Sequence, residues 1–328
     1  MRPVLRSQTG TALLLAVGVL FMVSWVCLDL FASGSRSMWT GELAKRELIR
    51  EIEVRSALAR LMDAMAAASR TRKHNTLHDP WIVARKFPTV NAMGTMKTSV
   101  EVRDLSGLFP INLILDTQGR ENKLYLELLQ RLLALPEFGF PVERQRIMVD
   151  SLLDWLDPDS SPRENGAEAA YYQHRRRPHA AANRPMGHIS ELALVRGFSP
   201  DTPAIAKGIT ALTSVLTVDA PQGKININTA PVEILLCLAP DMTEETAREM
   251  ALFRENMQNI AALAGPDWYT QVSSWPPGKV LSPNVLTIRS SAFSARFTVS
   301  TETGTTTLSA VIHTTPDGTV VLASQLLH

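Results

Sequence analysis

The chain has 328 residues, 45% of them hydrophobic and 20% charged, which suits roughly two or three folded units and excludes a disordered protein. Its 33 Lys and Arg nearly cancel 32 Asp and Glu, so no global field favours nucleic acid or an acidic surface. Two cysteines, Cys27 and Cys237, exclude a disulfide-rich scaffold and a four-cysteine zinc site.

Arg2 and Arg6 form a short basic head ahead of an uncharged run from Ala12 to Leu28, extended past Asp29 by Leu30, Phe31 and Ala32. As a helix rising ~1.5 Å per residue, that run spans about 25 Å, near the lower limit for crossing a bilayer. A cleaved secretory signal is the plainer alternative, but no A-x-A-like site follows the run. Glu42 to Ala68 then contains neither Gly nor Pro and is rich in helix formers. At 100° per residue Val54, Leu58, Leu61, Met62 and Met65 share one face, with Arg46, Glu53 and Arg60 opposite. One long helix is predicted, with Gly34 as its flexible point and its second half laid on a domain.

Thr98-Ser-Val-Glu-Val-Arg103 alternates as a strand and Asp104-Leu-Ser-Gly107 reads as a turn. From about Asn112 to Pro283 the pattern is mostly helical, with helices at Leu124–Leu135 and Arg146–Leu156 and helix-start signals at Thr202, Thr229 and Thr243. After Trp275-Pro-Pro-Gly278, strands are predicted at Val285–Arg289, Ala292–Thr301, Thr305–Thr314 and Thr319–Ser324, joined by turns at Glu302-Thr-Gly304 and Pro316-Asp-Gly318. A lone strand near residue 100 cannot form a stable sheet. It is therefore expected to pair with the C-terminal strands, leaving a helical stretch of roughly 170 residues inserted between strands of one sheet.

In order along the chain stand a leader ending in Gly10, Asp104-Leu-Ser-Gly-Leu-Phe-Pro-Ile-Asn112, and Asp154-Trp-Leu-Asp-Pro-Asp159 continuing through Glu164-Asn-Gly-Ala-Glu168 to Tyr171-Tyr172. Ala181-Ala-Asn-Arg-Pro185, Ser190-Glu-Leu192 with Leu194-Val-Arg-Gly197, and Ile225-Asn-Ile-Asn-Thr-Ala230 follow. With these motifs the whole chain resembles the type II secretion minor pseudopilin K (GspK) family. The resemblance implies an α+β fold: a pilin-like long N-terminal helix on an antiparallel β-sheet, with a large all-α domain inserted between strands. The expected divisions are a prepilin leader at 1–10, a transmembrane part at 11–33, the helix continuation and first part of the pilin-like domain at 34–111, the inserted domain at 112–283, and C-terminal strands at 284–328.

The resemblance further implies cleavage by a prepilin peptidase between Gly10 and Thr11 and N-methylation of Thr11. It implies a single-pass inner-membrane protein with its bulk in the periplasm. The implied partners are other pseudopilins, above all minor pseudopilins I and J, with which K forms a tip complex that initiates and caps the pseudopilus. Pilin-like proteins mostly carry a glutamate at the fifth mature position, where its carboxylate is thought to neutralise the N-terminal ammonium of the subunit above. Here that position is Leu15. A subunit with nothing above it has no ammonium to neutralise, so Leu15 favours a tip position; ordinary membrane apolarity is the plainer alternative.

Counting Asp157 as one, oxygen side chains fall at positions one, three, five, nine and twelve: Asp157, Asp159, Ser161, Asn165 and Glu168. That is the spacing of a calcium loop, except that Pro162 stands where glycine belongs, and Glu164 is a substitute ligand. A solvated, Asp-capped loop is the alternative. Calcium binding by the helical domain is also an association of the family. Asn226 to Thr229 resembles the opening of a helix-hairpin-helix module, which makes a membrane-tethered DNA-binding protein the competing function, although the Gly-hydrophobic-Gly hairpin is missing. Cys237 among leucines reads as buried filler, His174-Arg-Arg-Arg-Pro-His179 as a surface loop near the acidic one, and His188 with Ser190 lacks a third member for a triad. No enzyme and no nucleic-acid partner are expected.

Overall fold

The computed structural model describes residues 9–83, 89–90, 95–315 and 317–328; most of the leader, residues 1–8, lies outside the described residues. A single helix, α1, runs from Thr9 to Thr71 and continues through Gly34 without a break. Its first half is bare, with Leu14, Leu20 and Phe31 exposed. Among the described residues its first buried side chain is Arg50, and from Val54 onward Val54, Ala57, Leu58, Leu61 and Met65 are buried while Met62 is partly so. The predicted stripe is thus the packed face, and Arg60 stays in solvent, bound to Glu53 at 2.7 Å.

That face covers one side of a five-stranded antiparallel sheet: β1 (Thr89–Val90), β2 (Lys97–Asp104), β3 (Ala292–Thr301), β4 (Gly304–Thr314) and β5 (Val320–Leu327), in that spatial order. The strand near residue 100 pairs with β3 in the register Val100↔Phe297 and Asp104↔Phe293, as the shortage of local partners requires. Phe293, Ala295, Phe297 and Val299 alternate inward and meet Leu308, Ala310 and Ile312 of β4 beneath α1. Arg50 clasps the β3–β4 turn through Thr306 Oγ1 at 3.2 Å and Thr301 Oγ1 at 3.3 Å. Ser69 Oγ donates to the Gly318 carbonyl at 3.1 Å, so the next turn sits near the far end of the helix.

The chain leaves the sheet after Asp104 and returns at Ala292, directly alongside, with Leu105 N–H donating to the Ala292 carbonyl at 2.9 Å. Between these points lies a second core built from helices at Lys123–Leu133, Val142–Leu156, Pro203–Ser214, Val232–Cys237 and Glu244–Glu255. Val142–Leu156 starts four residues earlier than the pattern predicts, because Pro141 (φ −58°) holds the N-cap position. Thr202 and Thr243 cap as predicted, accepting from the N–H groups of Ile205 and Thr246. Thr229 does not cap: its hydroxyl donates to Asp104 Oδ2 at 2.5 Å, and Pro231 takes the N-cap position. Val285–Arg289 also differs from expectation. Only Leu286–Thr287 is a strand, and it pairs in parallel with Ile225–Asn226 inside the inserted domain, where Val285 and Leu286 join the helical core.

A buried polar junction fastens the two cores. Asp104 accepts from Ser290 Oγ, Thr229 Oγ1, Asn226 Nδ2 and the Ser106 N–H. Just past α1, the Asn75 carbonyl accepts from Asn228 Nδ2 at 3.1 Å and its Oδ1 from the Ser290 N–H at 2.9 Å. The inserted domain is therefore rooted at the end of α1 opposite the bare apolar segment.

Candidate functional site

The Val142–Leu156 helix delivers Asp154 and then Asp157 into a loop whose return leg starts the short helix Ala169–Gln173 at Glu168. Carboxylate oxygens of Asp157, Asp159 and Glu168 lie within 4.8 Å of one another. Asp157 is 3% and Glu168 4% exposed, which is rare for acids without a full set of partners. Arg163 answers part of the charge, with Nη1 at 2.6 Å from Asp157 Oδ2 and 2.7 Å from Asp154 Oδ1. What remains is distinctive: Asp157 Oδ1 and both Glu168 carboxylate oxygens are buried with no hydrogen-bond partner. Burial, followed by the charges of Asp154, Asp157 and Asp159, pushes the Glu168 carboxyl up to about 7. Converging hard oxygens with unanswered lone pairs fit a calcium ion, which takes carboxylate and carbonyl ligands.

The other expected ligands are placed differently. Asn165 faces away, giving both its backbone N–H and Nδ2 to Asp150 Oδ2 at 3.0 Å. Glu164 is exposed and outside the carboxylate group. Ser161 is exposed too, and its N–H donates to Asp159 Oδ1 at 2.7 Å, closing an Asx turn. Gly166 explains why the loop can close so tightly, since a Cβ there would stand 1.8 Å from Asp154 Oδ2. One residue escaped sequence reasoning. Asn183, left-handed at φ 46°, donates Nδ2 to the Asp159 carbonyl and keeps a buried, unpartnered Oδ1. Its place in Ala181-Ala-Asn-Arg-Pro185 was the available signal, but nothing local ties it to a loop 24 residues earlier.

Asn226 and Asn228 are fully buried and spend their side chains on the junction and on Trp268 Nε1, so neither faces a nucleic acid. The DNA-binding alternative finds no support. Cys237 is buried, and burial pushes its thiol up to about 12. His188 Nδ1 and Ser190 Oγ are 2.7 Å apart, but the pair is exposed and caps the short 3-10 helix Ile189–Leu194, with Glu191 returning to the His188 N–H at 3.1 Å.

At the other end of the molecule, among the described residues, one helix is long and apolar enough to cross a membrane, and it carries the N-terminal run. Gly10 and Thr11 fall in the first turn of α1, and Leu15 lies on the bare segment. By helical rise, about 27 Å of helix separates Ala32 from Arg50, and roughly 30 Å more leads to the root of the inserted domain.

A family described as "Type II secretion system (T2SS), protein K" matches residues 107–214, the span holding the acidic loop. Type II secretion system protein K of Pseudomonas aeruginosa is 29% identical over 250 residues, covering 71% of this chain and 68% of that protein. Over these spans the chain is similar to the type II secretion protein K family. Type II secretion system protein K of Pectobacterium carotovorum subsp. carotovorum is 29% identical over 209 residues, covering 61% of this chain and 60% of that protein. The fold is matched by a chain in a crystal structure of the GspK–GspI–GspJ complex from enterotoxigenic Escherichia coli, at a TM-score of 0.64 and 20% identity over 87% of this chain and 97% of that one.

Proposed function

We propose that this protein works as the minor pseudopilin at the tip of a type II secretion pseudopilus, held in the inner membrane by α1 with its bulk in the periplasm. One observation carries the reading: the inserted domain is rooted at the end of α1 farthest from the apolar segment, where a stacked subunit would otherwise sit. Its partners would be pseudopilins I and J, named with K in the matched crystal complex. Their helices would bundle with the exposed face carrying Met38, Trp39, Leu43, Ile49 and Ile52. Leu15 accords with a subunit that has no neighbour above it. Before assembly the peptidase would cut between Gly10 and Thr11, and Thr11 would be methylated. The role is structural rather than enzymatic.

Calcium is part of the proposal. Asp157 Oδ1, Asp159 and Glu168 would hold it, with Asn183 Oδ1 as a further donor, and the ion would supply the positive charge that Arg163 only partly provides. The test of the whole reading is co-expression with pseudopilins I and J in detergent-solubilised membranes. A stable three-protein complex is expected, and a protein that elutes alone overturns the reading.

A further inference from the structure

Beyond the tip role and the acidic loop, the inserted domain holds a cationic groove of about 620 Å³. Arg175, Arg176, Arg177 and Arg196 line it with His174 and His179, and no carboxylate does. Several arginines elsewhere are ion-paired: Arg46, Arg55, Arg60, Arg120, Arg144 and Arg163 each hold an acid. Among the described residues, no ion pair engages any of the four groove arginines.

The walls are built rather than loose. The His179 ring packs 4.9 Å from Tyr172 and 6.1 Å from Trp155, and its Nε2 lies 3.3 Å from the Leu194 carbonyl. His174 Nδ1 lies 2.6 Å from the Ala170 carbonyl. Arg196 stacks 5.0 Å over Tyr171 while Nη1 donates to the Gly166 carbonyl at 2.8 Å, and Arg175 covers the same ring at 5.6 Å. Arg176 and Arg177 are exposed, so fixed guanidinium planes are flanked by free ones.

We infer that this groove binds an acidic peptide segment, reading its side-chain carboxylates with paired guanidinium forks. Charge complementarity selects the chemistry, and a groove of about 620 Å³ with exposed Leu194 in its lining is larger than a compact ion fills, which favours a peptide chain. Lipid headgroups are out of reach, because about 60 Å of helix separates Ala32 from the end of α1. The inference stands apart from the calcium proposal and from the pseudopilin partners.

The experiment uses the full chain in neutral-lipid nanodiscs and a fluorescent Glu/Asp-rich decapeptide, with its Gln/Asn counterpart as control, read by polarisation. Binding of the acidic peptide is expected, lost for the neutral peptide and weakened about tenfold by Arg176→Glu with Arg177→Glu. Raising salt from 50 to 300 mM should also weaken it, since these charges are exposed. Arg175→Gln, read in parallel, gives a smaller loss in the same direction and guards against misfolding of the double variant. Equal binding of both peptides, or an unchanged double variant, overturns the inference. So does full displacement by millimolar inorganic phosphate, which marks a compact anion site instead.

Discussion

Replacing Glu168 with glutamine separates a calcium site from an acidic cluster held for other reasons. In the parent both carboxylate oxygens are buried without a partner, beside Asp157 and Asp159. A buried unsatisfied polar atom costs about 1–3 kcal/mol, and charge adds to that. The variant replaces one acceptor by an amide donor facing those carboxylates, so without calcium it should match or exceed the parent in stability. With calcium the order reverses. Taking a dissociation constant of ~10⁻⁴ M, usual for extracellular modules, 10 mM calcium adds about 2.7 kcal/mol to the parent. At roughly 2–4 °C per kcal/mol for a unit of this size, the melting temperature rises by about 5–10 °C. The assay is thermal unfolding of the full chain in detergent, followed by tryptophan fluorescence with and without a chelator. Trp155 packs 5.3 Å from Tyr172 beside the loop, so the signal includes the site itself. Glu168→Gln should cut the shift to about 1 °C or less. A parent that does not shift, or a variant that shifts equally, refutes the reasoning.

Two further perturbations test the packing and the junction. Gly208→Ala should destabilise by about 1–3 kcal/mol in urea unfolding despite the better helix propensity of alanine, because its Cβ would stand 2.1 Å from the Phe138 carbonyl oxygen. Gly41→Ala, with nothing within 4 Å, should be neutral or stabilising by up to about 1 kcal/mol, and equal effects at the two positions would contradict the packing. For Asp104, burial raises the carboxyl above its ordinary 3.8 although bonds from Ser290, Thr229 and Ser106 pull it back. The folded state then keeps a proton that the unfolded chain releases. Its contribution is full below pH 3.8 and is lost as pH rises through the folded value. Measured against Asp104→Asn, the parent should lose relative stability with rising pH across that window, and a relative gain would reverse the sign.

What the sequence made legible was periodic or local. The Val54–Met65 stripe, the pairing of residues 98–103 with the C-terminal strands and the Thr202 and Thr243 caps all follow from spacing and nearest neighbours. Asp157, Asp159 and Glu168 were legible because one short loop brings them together. The misplacements share a cause: a distant partner outcompeted the local one. Asn165 bonds Asp150 on the helix that leads into the loop, Thr229 bonds Asp104 across 125 residues, and Leu286–Thr287 pairs with Ile225–Asn226 rather than with the sheet. Asn183 was invisible for the same reason, since its backbone strain and its bond to Asp159 arise only once the loops are folded against each other.

The position at the pseudopilus summit is tested most directly by placing a small tag after Gly278, in an exposed turn of the inserted domain, and labelling assembled filaments with gold for electron microscopy. Gold at one end of each filament and nowhere along its length is the expected pattern. Gold spaced along the shaft would mean that other subunits stack above this one, contrary to a head that blocks the far end of its helix.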